Sequence, residues 1–236
     1  MTETTDRADM IAAAHALATL SAVVAALKAE ALGEAAPRTC NTEERKTMST
    51  MTWIDVETNG LDAHANHLLE VACLVTDEEL NVLDEMGFQA VIYYPSREAD
   101  ALYESANEHV RKMHADTGLW DKLGDGIPLA KVDEQLLAYV AQFSAPRTSP
   151  VAGNTVRLDM NFMDAYLPHT ASHLDYHMRD VSTIAGLASA WYDLPRYEKA
   201  SDHTAMTDIR ESIRELRHYR ELIFRESFYT TKAGTP

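Results

Sequence analysis

A chain of 236 residues that is 46% hydrophobic and 25% charged has the material for one sizeable core and something besides. Its 37 acidic and 21 basic side chains leave a formal net charge of −16. That balance excludes a general module for gripping long nucleic-acid duplexes, because such binding is driven by neutralising phosphates. Two cysteines, Cys40 and Cys73, exclude a disulfide framework and a cysteine-built zinc site, and they fit a reducing, cytoplasmic interior.

Residues 6–35 predict an Ala-rich helix. Its middle, residues 10–27 (MIAAAHALATLSAVVAAL), is about as long as a membrane span. His15, Thr19 and Ser21 interrupt it, however, and Asp6, Arg7 and Asp9 precede it where a signal peptide would carry positive charge. A helix in water or packed on a partner is the preferred reading, and a weak membrane or targeting segment is the alternative. Residues 36–50 are polar, hold a proline and lack an apolar period, which marks a linker. The folded domain is expected over residues 51–228, followed by a tail at 229–236. A product starting at Met48 or Met51 would lose none of the residues assigned below to chemistry.

The domain opens on Thr52 to Leu61 (TWIDVETNGL), an apolar β-type run ending in a turn at Asn59-Gly60. Further strands are expected at Leu68 to Thr76 and Val82 to Tyr94, giving a meander at the start of a mixed sheet. The pattern then turns helical from Ala101, through Glu104 to Ala115 and again over Leu129 to Phe143, where Leu129, Val132, Leu136, Leu137, Val140 and Phe143 are apolar. A proline-rich break leads to a short strand, Val151-Ala152-Gly153, and a helix from about Leu158. A strand near Met178 to Val181, a helix from Ser182 to Trp191 and a last helix from about Thr204 to Phe228 complete the chain. Strands first, then alternating helices and strands, predict an α/β or α+β fold.

Four carboxylates stand at element ends. Asp55 and Glu57, two apart in a strand, share one face. Such a pair is unfavourable unless a proton or cation offsets its repulsion, and hard divalent ions prefer these oxygen ligands. Asp159 and Asp208 each fall in the first turn of an expected helix, where a lone acid commonly does no more than complement the helix dipole. His203 precedes the last helix in a polar loop and, taken alone, reads as a surface histidine. In α/β folds, strand ends and helix starts converge on a cleft, which brings these separate segments into one hypothesis.

The stretches WIDVETNGL, LLEVACLVTDEELNVL, AGNTVRLD, DVST and HTAMTDIRESIRELRHYR resemble the DEDD exonuclease superfamily with a histidine in the third motif. Within it, residues 51–228 are similar to the oligoribonuclease family. The resemblance implies a ribonuclease H-like mixed sheet flanked by helices, to which the N-terminal helix is an addition. It assigns Asp55, Glu57, Asp159 and Asp208 to two divalent ions, Mg²⁺ or Mn²⁺, and makes His203 the general base. An imidazole titrates near neutrality and suits proton abstraction from water. Two ions can stabilise both the attacking and the departing oxygen of an in-line displacement.

The same resemblance implies substrate contacts. Leu61 would wedge between bases, His114 would touch the substrate, and Thr155, Ser182 and Thr183 would cap a dinucleotide's 5′ phosphate. Tyr176 would reach the site of the second subunit in a homodimer. The alternatives are that Leu61 is core and that Ser182 or Thr183 caps a helix. Two residues depart from the family. His177 stands where the family has a phosphate-capping arginine, replacing a permanently charged fork with a titratable donor. His109 stands where many relatives have a base-stacking aromatic. The function implied is a metal-dependent 3′-to-5′ exoribonuclease acting on very short RNA. The alternatives are a proofreading or tRNA-trimming exonuclease of the same superfamily, or an inactive nuclease fold serving as a binding module.

Overall fold

The computed structural model describes residues 49–199 and 204–224. The Ala-rich helix, nearly all of the linker, the C-terminal tail and His203 lie outside the described residues, as does the 10–27 stretch. No described helix is long and apolar enough to cross a membrane.

β1 (Thr50–Thr58) is the centre of a five-stranded mixed sheet. On one side it pairs antiparallel with β2 (Leu68–Asp77), which pairs antiparallel with β3 (Phe88–Val91). On the other side it pairs parallel with β4 (Pro150–Gly153), which pairs parallel with β5 (Asp175–Asp180). The order is β3-β2-β1-β4-β5. β2 is buried on both faces over nearly all its length, which is why LLEVACLVT reads as an almost unbroken apolar run.

Between β3 and β4 lie α1 (Ser96–Ser105), α2 (Glu108–Asp116), the short α3 (Leu119–Lys122) and α4 (Leu129–Val140). α5 (Arg157–Tyr166) and α6 (Pro168–His173) follow β4, and α7 (Val181–Tyr192) and α8 (Ala205–Ile223) follow β5. The sheet divides the core into two layers. Ile54, Val71 and Cys73 pack with Leu136, Val140 and Phe162 on one face. Trp53, Ala72, Leu74 and Ala152 pack with Val181, Ile209 and Ile213 on the other. Strand alternation therefore puts Ile54 in the first layer and Trp53, Asp55 and Glu57 on the α8 side.

Several expected elements differ. The third strand shrinks to Phe88–Val91, with only an isolated bridge from Val82 to Thr76, because Gly87 in a left-handed conformation breaks the run. The expected 104–115 helix is two helices, since Asn107 is extended and its side chain caps α2 by accepting from the Val110 N–H at 3.0 Å. β1 starts at Thr50, within the stretch read as linker. α8 ends at Ile223, and Leu222 in its last turn is exposed.

Candidate active site

Asp55 and Glu57 point from β1 towards α8, whose first turn carries Asp208. The three side chains offer oxygens that all lie within 4.8 Å of one another. Asp159 joins them from the first turn of α5, its Oδ1 accepting the Val56 N–H at 3.1 Å. The parallel β1–β4 pairing is the cause: a helix that begins just after β4 begins beside the carboxyl end of β1. Gly153 makes the approach close. Its φ is +157°, and a Cβ there would lie 3.1 Å from the Ile54 carbonyl oxygen and 3.3 Å from Val156 Cγ2.

Burial and neighbouring carboxylates raise the proton affinity of Asp55, Glu57 and Asp159. Burial, then Asp159, Glu57 and Asp208, holds the Asp55 carboxyl well above the usual range, with Lys199 opposing. Burial, then Glu70, Asp208 and Asp159, pushes Glu57 up to about 8. Burial pushes Asp159 up to about 7, against the lowering effect of the Val56 N–H. Glu70 sits directly opposite Glu57 in the β1–β2 register and accepts a bond from Gln89 Nε2 at 2.8 Å. Four buried or half-buried carboxylates with mutual repulsion and converging oxygens fit hard divalent cations, which would relieve that repulsion.

The remaining sequence candidates fall around this cluster or apart from it. Leu61 is 73% exposed beside a cavity of about 510 Å³ that it shares with Ala63, His64, Asn161 and Asp164, which removes the reading of Leu61 as core. Thr155 Oγ1 and Ser182 Oγ lie 3.3 Å apart. Thr183 is exposed, and its N–H donates to Asp180 Oδ1 at 3.1 Å, so Asp180 caps α7 and neither Ser182 nor Thr183 does. His114 is 1% exposed, below the cluster and not in the open. Its Nε2 lies 2.9 Å from the Thr58 carbonyl oxygen, and its ring stands edge-on to Trp120. Its Nδ1 has no hydrogen-bond partner and faces Glu57 Oε2 at 3.8 Å. Burial holds its pKa below the ordinary value. Tyr176, 83% exposed, and His177 lie on the edge strand β5, where a His177 ring nitrogen is 2.9 Å from Asp175 Oδ1. His109 is exposed on α2.

Sequence reasoning missed Glu70, Asn154, Lys199 and Glu215. Asn154 lay within the AGNTVRLD stretch but carried no role from it, Lys199 lay in a loop without a motif, and Glu70 lay inside an apolar run. Glu215 read as one more charge on a charged helix.

Carboxylates gathered at the carboxyl end of a central strand, in a mixed β3-β2-β1-β4-β5 sheet backed by helices, define a metal-dependent nuclease of ribonuclease H-like fold. A family model described as exonuclease (RNase T) matches residues 52–216. The oligoribonuclease of Streptomyces avermitilis is 44% identical over 178 residues, covering 74% of this chain and 86% of the relative. The mitochondrial oligoribonuclease of Homo sapiens is 38% identical over 181 residues, covering 75% of this chain and 74% of the relative. Among solved structures, exonuclease I from Methylocaldum szegediense superposes with a TM-score of 0.55 at 19% identity, covering 73% of this chain. The chain spans only 40% of that protein's length, and the likeness speaks to fold alone. The chain belongs to the exonuclease family, in its oligoribonuclease branch.

Proposed function

We propose that the chain hydrolyses very short RNA, dinucleotides included, to mononucleotides from the 3′ end, in the cytoplasm and as a homodimer. The observation that carries this reading is the convergence of Asp55, Glu57 and Asp208 within 4.8 Å, with Asp159 alongside, in a chain of this family. These four side chains would hold two divalent ions, Mg²⁺ or Mn²⁺. When bound, the ions supply Lewis-acid stabilisation of charge developing on phosphate oxygens. His203 accepts the proton of the attacking water. As the phosphorus–O3′ bond breaks, the departing O3′ takes a proton from solvent to become the new 3′-hydroxyl of the shortened RNA, and the terminal residue is released as a 5′-mononucleotide.

Binding is assigned to the chain's own surface. Leu61 offers an apolar wedge for bases, and Thr155, Ser182 and Thr183 offer hydroxyls to the 5′ phosphate. His177 lends a weaker donor than an arginine, which predicts a looser preference for dinucleotides. His114 supports the end of β1 through Thr58 and reaches substrate only if its ring is uncovered. Exposure of Tyr176 on an edge strand supports its service to a second copy's site. The net charge of −16 favours short substrates over long ones.

The test is product analysis with end-labelled RNA of two to ten nucleotides, with and without Mg²⁺. Mononucleotides released stepwise from the 3′ end, only with metal and with accumulating short products also consumed, is the expected result. Endonucleolytic fragments, or turnover in chelator, would remove the assignment. Preference for a long DNA strand over short RNA would favour the proofreading alternative.

A further inference from the structure

Lys199 is no carboxylate ligand, yet two other segments, the turn at Asn154 and helix α8, meet at its ammonium. Its Nζ donates to Asn154 Oδ1 at 2.7 Å and to Ser212 Oγ at 3.4 Å, and pairs with Glu215 Oε2 at 3.1 Å. Three hydrogens thereby meet three acceptors. Asn154 Nδ2 in turn donates to the buried Glu215 Oε2 at 3.0 Å and to Ser182 Oγ at 3.2 Å. Ser182 Oγ is 3.3 Å from Thr155 Oγ1, and Ser212 Oγ donates to the Asp208 carbonyl at 2.7 Å. One connected network thus runs from the turn of α8 that carries Asp208 to the hydroxyl pair at the start of α5 and α7.

The turn that this network grips is strained. Thr155 has φ +55°, a left-handed conformation that β-branched residues rarely adopt and that persists only where the surroundings over-determine it. Its neighbour Asn154 is fixed on both amide atoms by Lys199, Glu215 and Ser182. The field of Lys199 also reaches Asp55.

We propose that Lys199 is a positioning residue of the reaction: it locks the Asn154–Thr155 turn and Ser182 against α8, so that the hydroxyls offered to the substrate's 5′ phosphate stand at a fixed distance from the carboxylate cluster. The proposal rests on the exoribonuclease reading above and deepens it, since that distance measures substrate length. A cavity of about 270 Å³ bounded by Asn154, Ser182, Arg196, Lys199 and Glu215 leaves room for a larger guanidinium at the same place.

The experiment compares the wild type with Lys199→Met, Lys199→Arg and the double variant Lys199→Met/Glu215→Gln. Each is read by steady-state kinetics on a 5′-phosphorylated RNA dinucleotide, by equilibrium binding of that dinucleotide in EDTA, and by thermal melting. Lys199→Met should raise KM and weaken binding about tenfold, the scale of one charge-assisted hydrogen bond, with kcat changed less. Lys199→Arg should recover most of that loss. The double variant should recover melting temperature, because no buried carboxylate is left without its cation, and should keep the high KM. An unchanged KM and affinity in Lys199→Met would overturn the proposal, as would a normal KM in the double variant, which would reduce Lys199 to a counter-ion for Glu215. A wild type that cleaves no RNA would overturn the exoribonuclease reading instead, while the binding arm still decides the role of Lys199.

Discussion

At the scale of single residues, the site is a set of charges that fold into proximity at a cost to the metal-free protein. Asp55 sits among Asp159, Glu57 and Asp208, and each raises its proton affinity. The isosteric change Asp55→Asn removes one repelling charge together with an oxygen donor. Turnover should fall at least about a hundredfold, the scale for losing a principal charge-stabilising group. The melting temperature in chelator should hold or rise, since repulsion is relieved. Unchanged turnover would count against the cluster as the reaction centre. His177 is held by Asp175 on the exposed edge of β5. Restoring a fork with His177→Arg should strengthen discrimination for 5′-phosphorylated over unphosphorylated dinucleotides several-fold, about 1 kcal/mol for a bidentate contact over a single one. Competition binding with the two dinucleotides checks it, and equal discrimination in both proteins would remove His177 from the phosphate contact.

Elements matter here through where they end. β4 stops at Gly153 against the Ile54 carbonyl, and that contact places the start of α5, and hence Asp159, beside β1. Gly153→Ala should destabilise the protein by about 1–3 kcal/mol, the cost of a strained backbone and a tight contact. Activity should fall by more than the folded fraction does, because Asp159 shifts with the turn. Chemical denaturation run beside a rate assay separates the two effects, and a fully active variant would show that the turn tolerates displacement. α8 is placed by Ile209 and Ile213 in the second core layer and by Arg210, Arg217 and Arg220, which reach Glu85, the Leu80 carbonyl and Glu79 on the β2–β3 connection. Asp208 therefore takes its position from contacts made along the whole helix.

For the molecule as a whole, the raised carboxylates couple stability to pH and to metal. Glu57 moves from 4.5 to about 8 and Asp159 from 3.8 to about 7. Between those values the native state keeps protons that the unfolded chain has released, so stability of the metal-free protein falls as pH rises from about 4 to about 8. Melting in chelator should show this decline, and Mg²⁺ or Mn²⁺ should raise the melting temperature most at the alkaline end, where the carboxylates are free to bind. A metal-free melting temperature that climbs across this window would contradict the cluster's electrostatics. At the same scale, Tyr176 and Met178 on β5 and Leu187, Trp191 and Tyr192 on α7 are all exposed. If the second copy packs there, Trp191→Asp should shift sedimentation towards the monomer and lower activity with it. A fully active monomer would refute a shared site.

Much of the site was legible because its residues sit at positions that local pattern reports. Alternation places Asp55 and Glu57 on one face whatever the fold, and the end of an apolar strand fixes Asp159 in a first turn, as the apolar period after Asp208 does for that residue. The sheet's mixed character and the oligoribonuclease likeness followed from the same stretches. Partners from distant segments were out of reach: Glu70 opposite Glu57, Asn154 and Glu215 around Lys199, Asp180 rather than Ser182 or Thr183 at the cap of α7, and the closing of His114 under Trp120. Periodicity speaks only of neighbours along the chain. Hydrogen bonds and ion pairs between residues dozens of positions apart depend on strand order, register and helix docking, which many small packing contacts decide together.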